Sequence, residues 1–122
     1  SRDLGLMAEP KRGEIWVVDW SPGRGSEQLG RRPALIVQTD AANQNPRYPN
    51  TIVVTLSTKG RAVTTHVRIE PNEENGLKKA SFAKCEQILT ISKARLQRKW
   101  GRIRMEDLER VDEALSAALE IE

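Results

Sequence analysis

Two apolar runs of strand length, separated by the twelve residues 21–32, set the strongest constraint on how this chain can fold. In residues 15–20, Ile15, Val17 and Asp19 fall on one face and Trp16, Val18 and Trp20 on the other, the two-residue period of a strand buried mainly on one side. Residues 33–38 form a compact, partly β-branched run headed by Pro33, and a proline can open a strand without removing a ladder hydrogen bond from its interior. The two runs are expected to pair. Their connector carries Gly23, Gly25 and Gly30 for backbone freedom, Glu27 and Gln28 for hydrogen bonding, and Arg24, Arg31 and Arg32 for anions. Hairpins turn in about two to five residues, so a connector about twice that length is either a functional loop or a solvated excursion.

The rest of the chain reads as more short strands and one helix. Residues 39–51 are polar, contain Pro46 and Pro49, and read as a loop. Residues 52–57 form a β-branched strand ending in a hydroxyl, Ser57, and are followed by a turn bearing Lys59 and Arg61. Residues 65–69 alternate again, and residues 71–76 are an acidic turn. The run 81–90 would be a plain buried strand but for Glu86 and Gln87. A buried polar group without a partner costs about 1–3 kcal/mol, so this pair implies either a hydrogen-bond network or a substrate-facing surface. Residues 92–96 read as a short helical turn and 99–103 as a last strand. Met105, Leu108, Val111, Leu115 and Leu119 then recur at helical steps, with Glu106, Asp107 and Glu109 in the first turns, where the helix dipole favours acids. Strands followed by one terminal helix predict a mainly β fold with α, a small barrel closed or capped by that helix.

With 122 residues there is room for one core. Residues 1–10 are expected to be a disordered or expression-derived leader and 11–122 a single domain. No apolar run reaches bilayer length and no secretory signal is visible. Cys85 and His66 are each the sole residue of their type, so neither a disulfide nor a clustered metal site is expected, and no cofactor. A cytoplasmic location follows as an expectation. Residues 1–104 hold 19 Lys or Arg against 10 acids, whereas 105–122 hold one Arg against seven acids. A basic body of this kind favours a polyanion, or an acidic protein segment competing for the same surface.

The words Lys11-Arg12-Gly13-Glu14-Ile15-Trp16, Gly25-Ser26-Glu27-Gln28, Arg32-Pro33-Ala34-Leu35-Ile36-Val37 and Cys85-Glu86-Gln87-Ile88 stand in the order and approximate spacing of the MazF/PemK (Kid) toxin family. The chain resembles that family over roughly residues 11–120. The resemblance implies an SH3-like barrel that dimerises and is held by an acidic antitoxin. It also implies metal-independent, sequence-specific cleavage of single-stranded RNA to 2′,3′-cyclic phosphate and 5′-hydroxyl ends. Carried over, the family's catalytic arginine falls on Arg32 and its catalytic threonine on Ser57, a departure that keeps the hydroxyl and loses the methyl that restricts its rotamer.

A guanidinium is charged at every working pH and can fork onto a phosphate, so charge stabilisation is the first role expected of Arg32. The other reading is an ion pair with Glu27 or Glu86; for Ser57 it is a plain edge-strand residue. Arg24, Glu27, Gln28, Lys59, Glu86 and Gln87 are the candidate RNA contacts, with Thr58 and His66 in second rank. Cys85 and the tryptophans are expected mainly in the core. Two other functions fit the same likeness. One is a toxin of this fold that targets gyrase through its C-terminal residues, for which the acidic Leu119-Glu120-Ile121-Glu122 end lacks an aromatic anchor. The other is an RNA-binding module that leaves its ligand whole.

Overall fold

The computed structural model describes residues 8–20 and 30–121. Six strands, β1 (Glu14–Asp19), β2 (Arg31–Ile36), β3 (Asn50–Ser57), β4 (His66–Ile69), β5 (Ser81–Ser92) and β6 (Leu96–Arg102), form one antiparallel sheet in the order β4-β5-β3-β2-β1-β6. A one-turn helix α1 (Asp40–Asn43) and a long C-terminal helix α2 (Met105–Leu119) complete it. The mainly β fold with a terminal helix is the expected one. The expected barrel is not closed strand to strand, since β4 and β6 stand at the two ends. The turn after β4 reaches β6 instead, with Arg102 N donating to Glu74 O at 2.9 Å. No helix among the described residues is long and apolar enough to cross a membrane.

The strand period sorts the side chains onto two apolar clusters. Ile15, Leu35, Val54, Leu56, Ala83 and Cys85 build the larger one, which α2 covers with Val111 and Ala114. Val18, Ala34, Ile36, Val53, Ile91 and Leu96 build the smaller, against which Trp16 and Trp20 pack. Trp16, Val18 and Trp20 thus share a face as their alternation predicts. The helix stripe is buried at its middle and exposed at its ends: Met105 is 68% exposed and Leu119 54%.

Three expectations need correction. Residues 39–51 are not all loop: α1 lies within them and β3 starts at Asn50. Buried Asn43 organises this segment, donating to Gln38 O at 2.9 Å and accepting from Thr51 Oγ1 at 2.8 Å. The last strand starts at Leu96 and not at residue 99, because Leu96 pairs with Val18 and joins the smaller cluster. The packed chain also reaches back ahead of residue 11, for Pro10 is buried and Ala8 lies against the smaller cluster.

Candidate functional site

Residues on facing strands determine where the chemistry gathers. Ala34 of β2 lies opposite Thr55 of β3, and Thr55 lies opposite Lys84 of β5. Two steps along each strand keep the same face, so Arg32, Ser57 and Lys84 emerge on the side of the smaller cluster, across the sheet from α2. A depression of about 400 Å³ opens there, and Arg32, Ser57, Thr55, Lys84, Gln87 and Trp20 are among its walls. Arg32 is exposed and makes no ion pair among the described residues, whereas Glu86 is engaged elsewhere. The alternative of an Arg32–Glu86 pair is therefore excluded.

Ser57 is held despite lacking the threonine methyl. Its Oγ accepts the backbone N–H of Lys59 at 3.0 Å, which leaves the hydroxyl hydrogen free to donate. Thr58 does not share the first depression. It lines a second one of about 370 Å³, which also has Arg32, Pro33, Leu56 and Ser57 in its wall.

The polar pair in β5 is explained by a bulge. Val54 faces Ile88 while the next residue, Thr55, faces Lys84, so Cys85, Glu86 and Gln87 are extra residues on the β5 side. A bulge of this kind re-aims side chains and often borders a functional site. Cys85 turns into the core, where burial, with Glu86 and Asp112 nearby, pushes its thiol up to about 11. Gln87 turns outward into the depression and accepts from Thr55 Oγ1 at 2.6 Å.

Glu86 is also exposed but points away from Arg32, to His66, with Oε2 3.0 Å from Nε2. Nδ1 of that ring accepts the N–H of Arg61 at 3.0 Å, which requires the proton to sit on Nε2 and to be donated to Glu86. Partial burial would raise the Glu86 carboxyl, but hydrogen bonds from His66, its own backbone amide and Thr65 outweigh that and hold it below the usual range. His66, Glu86 and Lys59 are not among the walls of either depression. Arg24, Glu27 and Gln28 lie outside the described residues.

Lys84 and Thr55 were not singled out in the sequence, and Trp20, expected mainly in the core, also lines the depression. Lys84 was open to inference only once its register opposite Thr55 was known, since parity within its own strand does not say which face is the functional one.

A family model described as the PemK-like, MazF-like toxin of type II toxin-antitoxin systems matches residues 11–119. Endoribonuclease EndoA of Bacillus subtilis is 37% identical over 109 residues, covering 89% of this chain and 93% of that protein. Endoribonuclease MazF of Staphylococcus epidermidis is 38% identical over 112 residues, covering 89% and 90%. Among solved structures, an endoribonuclease from a mycobacterial species in complex with its cognate antitoxin has a TM-score of 0.76 at 25% identity, over 93% of this chain and 97% of that one.

Proposed function

The chain belongs to the PemK-like, MazF-like toxin family and is a toxin endoribonuclease of a toxin–antitoxin system, and we propose that it cuts single-stranded RNA without metal, using Arg32 and Ser57. In this reading the chain from Ala8 onward is one domain, acting in the cytoplasm as a homodimer that an acidic antitoxin restrains. The observation that carries it is the convergence of a guanidinium that makes no ion pair among the described residues and an anchored hydroxyl, from neighbouring strands, on one depression.

The reaction needs a bond from the 2′-oxygen to phosphorus to form as the bond to the 5′-oxygen breaks. One proton leaves the 2′-hydroxyl and one reaches the 5′-oxygen, giving a 2′,3′-cyclic phosphate and a 5′-hydroxyl. Charge builds on the phosphoryl oxygens in between. Arg32 donates to them in a fork, Ser57 donates its free hydroxyl hydrogen, and the Lys84 ammonium adds positive charge from the adjacent wall. Gln87, with Thr55 behind it, presents an amide to a base edge. Arg24, Glu27, Gln28 and Lys59 supply further RNA contacts, and Glu86 with His66 braces the bulge that aims Gln87.

The test is incubation of a long single-stranded RNA with the purified protein in excess chelator. Discrete cuts bearing cyclic phosphate ends are expected, with Arg32→Ala inactive yet folded. Intact RNA after incubation with the wild type overturns the reading.

A further inference from the structure

Arg32, Pro33, Leu56 and Ser57 belong to both depressions, so they form the wall between them. An RNA strand whose scissile phosphate rests on that wall must continue past it on both sides. On one side it meets Gln87 and Thr55, groups that can read a base edge. On the other it meets Lys78, Lys79 and Trp100. Both lysines are exposed, and neither makes an ion pair among the described residues.

The backbone carrying those lysines is fixed from both ends. Asn75 is wholly buried, donates to Glu70 O at 2.9 Å, and accepts the N–H of Leu77 at 2.9 Å. Ser81 Oγ donates to Lys79 O at 3.0 Å. Gly76 has a φ of +74°, and a Cβ there would lie 2.5 Å from Trp100 O. Only a glycine lets this turn come down beside Trp100. The cations are thus presented on a prepared support next to a half-buried aromatic ring.

Resting on the nuclease reading above, we infer that this second depression is a nucleotide subsite for the residue across the scissile phosphate from Gln87, with Lys78 and Lys79 on its phosphate and its base against Trp100. Stacking and phosphate contact are tolerant of base identity. The subsite therefore adds affinity without adding a letter to the cleavage word.

The experiment uses an oligonucleotide spanning a cut site mapped with the wild type, carrying a 2′-deoxy sugar at the scissile position so that it binds without being cut. Lys78→Ala/Lys79→Ala should bind about tenfold more weakly at low salt, and the slope of log affinity against log salt should fall by about 0.7, the share of the one single-strand phosphate that both lysines hold. Trp100→Leu should weaken binding about tenfold with the slope unchanged, and Trp100→Phe should restore most of it. Thermal melts establish that each variant is folded. Truncating the oligonucleotide on one side of the scissile phosphate, and only one, should abolish the effect of the lysine substitutions, which a merely structural role would not produce. Wild-type affinity and slope in the lysine variant, or a changed cleavage word, overturns the subsite. A wild type that cuts no RNA overturns the nuclease reading instead.

Discussion

Arg32 and Ser57 make opposite demands on an experiment, because among the described residues one has no ion-pair partner and the other is tied. Arg32 is exposed and unpaired among the described residues, so Arg32→Ala should leave the melting temperature unchanged. Loss of one donor aimed at developing charge lowers turnover by about 10²- to 10³-fold, and single-turnover cleavage should read that loss. Arg32→Lys should recover only part of it, because an ammonium cannot make the paired fork. Ser57 is different, since its Oγ also closes the turn to Lys59. Ser57→Thr should keep both activity and stability; Ser57→Ala should lose activity and some stability together. A Ser57→Ala enzyme with wild-type kcat would remove the hydroxyl from the mechanism. Glu86 offers a pH test. Its folded carboxyl lies below the usual range, so its contribution to stability is present above the ordinary glutamate pKa and is lost as pH falls through the lowered value. Melting temperature should therefore drop more steeply below about pH 4.3 in the wild type than in Glu86→Gln, and parallel curves would refute the pair's role.

At the scale of elements, what could be read from the sequence was whatever a single segment decides for itself. The alternation of Trp16, Val18 and Trp20 and the helical stripe of Leu108, Val111 and Leu115 are local periods, the first found along β1 and the residue that follows it, the second in α2. Arg32 and Ser57 were legible as candidates through resemblance, and their common wall follows from the pairing of β2 with β3. The β5 bulge was not legible, because two partner strands set its register, and the residues that expose it are Thr55 and Val54 of β3. For the same reason Glu86 and Gln87 looked like one polar pair when they face different neighbours, His66 and Thr55. The early start of β6 and the presence of α1 likewise depend on contacts outside their own segments. The turn between β4 and β5 gives the element-scale prediction. Gly76→Ala meets both a left-handed φ and the carbonyl of Trp100 at 2.5 Å, so it should cost about 1–3 kcal/mol in urea unfolding. Gly30→Ala has a left-handed φ, but no atom of the described residues lies within 4 Å of the added Cβ, and it should cost less.

Over the whole molecule the sheet separates charge as well as apolar clusters. α2 carries most of the acids of residues 105–122 and packs on the larger cluster, whereas Arg32, Lys84 and Gln87 open beside the smaller cluster on the other face. The acids of α2 are partly occupied in any case, Asp112 by Arg12 and Asp107 by Arg110 at 2.8 Å. A field divided in this way steers a polyanion toward the basic face, and the helix contributes a weak opposing term across the thickness of the sheet. At about 0.15 M salt charges are screened within about 8 Å, so the helix should be nearly invisible to bound RNA. Replacing the exposed Glu109 and Glu113 by Gln should therefore leave the salt slope of RNA affinity unchanged at physiological ionic strength. Lys84→Met should lower that slope by about 0.7, the share of one phosphate of a single strand. If the helix substitutions moved the slope as much as Lys84→Met, RNA would have to pass close to α2. The basic face would then be only part of its path, and the position of the strand relative to Arg32 would need to be redrawn.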